Sequence, residues 1–126
     1  MKYLKYVGNI KFANNYESNM FFIIKEKPMY SIKIWNRYLI DIFSNKPPIK
    51  EIDFGLTKDF ENNAGPYENE DNLKEIDKLD YSADLKQYLI HDDYSFDETK
   101  EVLYLIVDFL QFAIENNYSV LCKMAK

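Results

Sequence analysis

The sequence predicts an α+β fold in which an N-terminal antiparallel sheet packs against a long C-terminal helix. Three observations support this fold. The first 45 residues are rich in β-branched and aromatic side chains, the centre is acidic with turn residues and short helices, and apolar residues cover most of positions 97 to 115. A chain of 126 residues that is 47% hydrophobic is expected to form one domain, residues 1–126.

The N-terminal part of the chain predicts antiparallel strands. Tyr3–Val7 and Ile10–Ala13 flank Gly8-Asn9, a two-residue turn that suits a β-hairpin. Phe21–Lys25 and Met29–Trp35 follow as two further strands, separated by a Glu-Lys-Pro turn.

Residues 31 to 43 fit two periodicities. The alternation typical of strands involves Ile32, Ile34, Ile40 and Ile42. One helical stripe is formed instead by Ile32, Trp35, Leu39 and Ile42. Because the segment is rich in β-branched and aromatic residues, we favour strands here, ended by Pro47-Pro48.

The acidic centre predicts a loop at residues 62–66 and two short helices. Asp71 or Asn72 is the expected cap of the first helix, which would turn inward Leu73, Ile76 and Leu79. Ser82 is the expected cap of the second, whose inward side would be Leu85, Tyr88 and Leu89.

The C-terminal helix has the strongest pattern. Ser95 and Glu98 have the spacing of a capping box, in which each side chain accepts from the other residue's backbone N–H. One narrow polar stripe then runs along positions 97, 101, 104, 108, 111 and 115, and the other positions are almost all apolar. A helix of this composition must be buried on most sides. Asn116-Asn117 ends it, and Tyr118–Met124 predicts a returning strand.

Charge is sorted along the chain. Residues 51–101 contain 16 carboxylates and 5 lysines, a net charge of −11, whereas residues 1–50 have a net charge of +6. Such asymmetry bears on solubility and choice of partner, not on the fold.

Motifs for catalysis or cofactor binding are absent from the sequence. His91 is the only histidine, so His91-Asp92-Asp93 has no second imidazole to complete a zinc site. Cys122 lies in a predicted strand and is expected to be a buried structural residue. The three glycines are isolated, which excludes the common phosphate-binding loops. We therefore expect no catalytic residue, no metal and no cofactor.

The compartment follows from cysteine usage and hydropathy. A single cysteine excludes an internal disulfide, and the N-terminus lacks the apolar stretch of a signal peptide. Because no apolar run is long enough to span a bilayer, we expect a cytoplasmic protein with no membrane contact. The strong preference for lysine over arginine suggests an AT-rich bacterial or phage genome.

Nucleic-acid binding is the alternative interpretation, since the basic N-terminal sheet also contains aromatic residues that could stack single-stranded bases. The residues concerned are Lys2, Lys5, Lys11, Lys25, Lys27, Lys33 and Arg37, with Tyr3, Tyr6, Phe12, Tyr30 and Trp35. The net charge of −5 opposes this interpretation because the acidic half would repel phosphate.

The acidic segment is favoured as the functional surface because aromatic residues run through it. These residues are Phe54, Phe60, Tyr67, Tyr81, Tyr88, Tyr94 and Phe96. Aromatic anchors supply contact area, and carboxylates steer a cationic partner. The predicted partner-binding residues are Tyr67, Glu68, Glu70, Asp71, Asp92, Asp93 and Tyr94.

In this combination of one small acidic domain, no catalytic motif and a tyrosine-carboxylate surface, the chain resembles bacterial toxin-immunity proteins. That resemblance implies a non-enzymatic protein that binds a cationic toxin, such as a nuclease, and occludes its active site. The sequence leaves the identity of the toxin and the oligomeric state open.

Overall fold

The computed structural model describes residues 19–44, 55–56 and 73–125, and it confirms the α+β fold. The elements in chain order are β1 (Asn19–Ile24), β2 (Ser31–Trp35), α1 (Asn36–Phe43), β3 (Lys74–Glu75), α2 (Lys78–Lys86), a 3-10 helix (Gln87–Ile90), α3 (Thr99–Glu115) and β4 (Val120–Ala125). The predicted hairpin within residues 3–13 and the predicted loop at 62–66 lie outside the described residues.

The sheet is antiparallel with strand order β2-β1-β4-β3. Along β1, every second side chain faces the helices, and Phe22 lies directly opposite Ile32 of β2 and Cys122 of β4. All three of these residues are fully buried, as expected for one covered face of a sheet with a period of two. Cys122 is therefore a buried thiol in the core and forms no disulfide.

Helix α3 is the centre of the core, as its sequence predicts. Its fully buried residues are Val102, Leu103, Ile106, Phe109, Leu110 and Ala113. The predicted polar stripe is confirmed at Glu101, Tyr104 and Glu115, which are exposed. The sheet, α1 and α2 all pack against this helix, so its apolar circumference is covered on most sides.

The strand prediction for residues 36–43 is wrong, because β2 ends at Trp35 and α1 begins at Asn36 without an intervening loop. The helical stripe describes this segment correctly, because α1 buries Leu39 and Ile42 against the core. Tertiary burial of this stripe outweighs the β propensity of its isoleucines.

The predicted caps Asp71 and Asn72 lie outside the described residues, and the helix predicted to follow them does not form, because Lys74–Glu75 is strand β3. Helix α2 begins at Lys78, and its cap is Asp77, whose Oδ1 accepts from the N–H groups of Leu79 and Asp80, both at 3.1 Å. Leu79 is consequently turned outward instead of inward. Ser82 lies inside α2 and is buried, so it caps nothing, although the predicted inward residues Leu85 and Tyr88 are buried.

The backbone at Gly55 lies close to helix α2. This residue has a φ of 72°, and a Cβ there would lie 2.5 Å from the Cβ of Asp84 in α2. Only glycine combines this conformation with this contact. The neighbouring Leu56 is thereby placed, fully buried, in the core.

The predicted capping box of the C-terminal helix does not form. Ser95–Glu98 is a turn, α3 begins at Thr99, and the residue at its N-cap, Glu98, makes no side-chain capping bond. The carboxylate of Asp41 in α1 takes the place of the box. It accepts from Ser95 N at 2.9 Å, from Phe96 N at 3.0 Å and from the Thr99 hydroxyl at 2.5 Å.

Asp41 is only 6% exposed, and its charge lies at the N-terminal end of α3, where the helix dipole favours an anion. Burial raises the pKa of Asp41, but the hydrogen bonds from Thr99, Ser95 and Phe96 outweigh this and hold it below its ordinary value. The ionised carboxylate therefore joins α1 to the start of α3.

Asp41→Ala is expected to lower the free energy of unfolding by about 2–4 kcal/mol, because three donors lose a charged acceptor. Urea unfolding at neutral pH measures the change. Asp97→Ala, which removes an exposed carboxylate of the same turn, should change stability by less than about 0.5 kcal/mol. Equal effects of the two substitutions would contradict the role given to Asp41.

Candidate functional site

The described part of the predicted binding surface is the acidic loop, residues 91–98, which connects the 3-10 helix to α3. Asp92, Asp93, Asp97 and Glu98 of this loop are all exposed. Tyr67, Glu68, Glu70 and Asp71 lie outside the described residues. The structure thus places the predicted Asp92, Asp93 and Tyr94 together in a single loop next to the N-terminus of the core helix.

Lys100 of α3 holds the beginning of the acidic loop. Its ammonium donates to the carbonyl oxygens of Leu89 and His91 and lies 2.9 Å from a carboxylate oxygen of Asp92. An ammonium has three N–H donors, so these three acceptors satisfy it completely. The Lys100 side chain is only 23% exposed, whereas that of Asp92 is 89% exposed.

Tyr94 holds the middle of the loop. Its hydroxyl donates to the carbonyl oxygen of Tyr88 at 3.1 Å, and the side chain is half-buried. Burial, together with the negative charges of Asp41 and Asp92, raises the pKa of Tyr94 to about 12. Since Asp41 binds Ser95 and Phe96, the loop is fastened at its start, middle and end.

Two exposed apolar side chains lie on the elements that flank the loop, and sequence reasoning did not select them. Ile90, at the end of the 3-10 helix, is 69% exposed, and Tyr104 of α3 is 49% exposed. Lys100 connects the two, because it binds the carbonyls on either side of Ile90 and lies 5.8 Å from the centroid of the Tyr104 ring. We call these two residues the Ile90–Tyr104 patch.

A sequence signal existed for Tyr104, which is the one aromatic residue in the polar stripe of α3. Ile90 gave no such signal. It follows Tyr88 and Leu89 in an apolar run, yet it lies exposed at the end of the 3-10 helix.

The described residues contain two open grooves and no metal-binding cluster. Among them, no group of three or more histidine, cysteine or acidic residues could hold a metal ion. An open groove of about 420 Å³ is lined by Glu75, Ile76, Asp77, Lys78, Leu79 and Ser119, and another of about 260 Å³ by Arg37, Ile40, Asp41, Ser44, Ser95 and Phe96. The only histidine, His91, lines neither, so the serines there have no imidazole base beside them.

The basic sheet contains fewer available aromatic rings than its sequence suggests. Tyr30 packs against Phe112 with ring centroids 5.0 Å apart, and Trp35 packs against Phe96 at 5.5 Å. On the sheet face opposite to the core, the partly exposed Phe21 lies between Lys33 of β2 and Lys123 of β4.

Comparison of the chain with protein-family models, with curated proteins and with solved structures gives no match. None of the helices in the described ranges has both the length and the apolar composition needed to cross a membrane.

Tyr94→Phe is expected to lower stability by about 0.5–1.5 kcal/mol at neutral pH through loss of the hydrogen bond to Tyr88. Because the pKa of Tyr94 is raised to about 12, its neutral form stabilises the folded wild type below pH ~10. That contribution is lost as the pH rises towards 12, so the difference between wild type and variant should shrink over this range. Urea unfolding at a series of pH values tests this, and a constant difference from pH 9 to 12 would contradict it.

Proposed function

We propose that the protein is a non-enzymatic binding protein that neutralises a cationic toxin, as bacterial immunity proteins do. The observation that carries the proposal is the Ile90–Tyr104 patch beside the acidic loop. Exposed apolar anchors next to charged residues are the arrangement in which a few side chains supply most of the binding energy and the rim supplies specificity.

The charges favour a cationic partner. Asp92, Asp93, Asp97 and Glu98 are exposed in one loop, and Glu101 follows in the first turn of α3. The one lysine among these residues, Lys100, is turned onto backbone carbonyls. Carboxylates in this density attract a basic protein from a distance and accelerate its association at low salt.

The support of the loop favours tight binding. A partner that binds a flexible loop must first order it, and that cost is subtracted from the affinity. Here Lys100, Tyr94 and Asp41 already fasten the backbone of residues 89–96. A preordered surface suits an inhibitor that must capture its target quickly and release it slowly.

A nuclease-type toxin fits this surface best among cationic proteins. Its active site is built to bind phosphate, so it presents the basic groove that exposed carboxylates would fill. The mechanism is occlusion, with the patch as the apolar contact and the acidic loop in place of the nucleic-acid backbone. No reaction at the bound toxin is required.

Retention of basic proteins from the source cell on the immobilised chain, followed by mass spectrometry, tests the proposal. We expect one basic protein to be retained at low salt and released at high salt, with Ile90→Ser weakening its affinity about 10- to 100-fold. Leu79→Ser is a matched control, because Leu79 is 61% exposed among other carboxylates at the opposite end of α2. Absence of any retained basic protein, or equal losses for both variants, would contradict the proposal.

Binding of single-stranded nucleic acid is the second candidate, favoured by the position of Phe21 between Lys33 and Lys123. A stacking ring flanked by ammonium groups is a feature of such sites. The anisotropy of a labelled oligonucleotide separates the two candidates. The toxin-binding proposal expects no binding at micromolar protein, and micromolar binding that Phe21→Ala abolishes would favour the second candidate.

A further inference from the structure

We infer that Lys100 is a positioning residue of the proposed partner site, and that its interactions with the backbone fix Ile90 and Asp92 in the orientation that the partner binds. This inference rests on the proposed function. From its charge alone, a lysine on an acidic surface is expected to weaken the binding of a basic partner. We assign to Lys100 the opposite effect, because it strengthens binding by positioning its neighbours.

The geometry around Lys100 supports this role. The two carbonyls that it binds belong to Leu89 and His91, the residues immediately before and after Ile90. An isoleucine between two fastened carbonyls has little freedom to turn inward, although burial of its 69% exposed side chain would otherwise be favourable. The ion pair with Asp92 then fixes the first carboxylate of the loop relative to Ile90.

The environment of Lys100 also explains why its charge does not repel a cationic partner. The ammonium is surrounded by three acceptors and is mostly covered, while the carboxylate that it pairs with stays exposed. The aromatic ring of Tyr104 lies 5.8 Å away. The positive charge is thus directed into the protein, and the negative charge of Asp92 faces the solvent.

A comparison of Lys100 with Lys86 separates the effect of a lysine's charge from the effect of its contacts with the backbone. Lys86 of α2 is exposed and donates to the side chain of Gln111 at 3.3 Å, so it binds no backbone carbonyl of the site. Lys100→Met and Lys86→Met remove the same charge from the protein. If electrostatic attraction alone determined affinity, both substitutions would strengthen the binding of a basic partner.

The test measures the affinity of these variants for the basic protein retained by the wild-type chain. We expect Lys100→Met to weaken binding about tenfold, mainly through faster dissociation, and Lys86→Met to leave it unchanged or strengthen it up to about twofold. Lys100→Arg, which keeps the charge but has a planar fork that does not fit the same three acceptors, should also weaken binding. Unchanged or tighter binding by both Lys100 variants would overturn the inference.

Hydrogen exchange of the free protein provides a second measurement that needs no partner. Lys100→Met should raise the exchange rate of the His91 amide, which donates to the Tyr88 carbonyl, about tenfold while the amides of α3 from Phe109 to Ala113 stay protected. Unchanged exchange at His91 overturns the positioning role even if the proposed function holds. Failure of the wild-type chain to retain any basic protein overturns the proposed function, and the exchange result still decides the role of Lys100.

Discussion

The buried carboxylate of Asp41 determines how the two halves of this protein are joined. It belongs to the basic half of the chain, yet its hydrogen bonds go to Ser95, Phe96 and Thr99 in the acidic half. Without it, the buried hydroxyl of Thr99 and the N–H groups of Ser95 and Phe96 would lose a charged acceptor, which is costly. The same bonds fix the end of the acidic loop, so one interaction links the stability of the fold to the shape of the proposed site.

The proposed site depends on the contacts that hold the acidic loop in place more than on the charge of the loop. Carboxylates are common on protein surfaces, and an acidic cluster by itself specifies no partner. Here the loop is held by Asp41, Tyr94 and Lys100, and the Ile90–Tyr104 patch adjoins it. A fixed loop with apolar contacts can select one basic protein among many, because the cost of ordering the surface has already been met within the folded chain.

The sequence predicts α3 and most of its buried positions, since a helix that is apolar on nearly all sides must lie in the core. It does not predict where that helix begins, because the carboxylate at its start comes from a residue 54 positions before Ser95. The helix α1 was missed because its isoleucines fit a strand as well as a helix, and only packing on the core decides between them. In the proposed site, the composition of the sequence was enough to select Asp92, Asp93 and Tyr94. The exposure of Ile90 depends on a 3-10 turn, and the role of Lys100 depends on contacts with backbone carbonyls. No sequence pattern specifies either of these.

The proposed site requires that the acidic loop is ordered before any partner binds. The most direct test is the backbone order parameter of residues 91–98, measured by ¹⁵N relaxation in the free protein. We expect values of about 0.85, equal to those of a rigid helix such as α3. Values below about 0.6 for Asp92 to Phe96 would show that the loop is flexible and not ordered in advance.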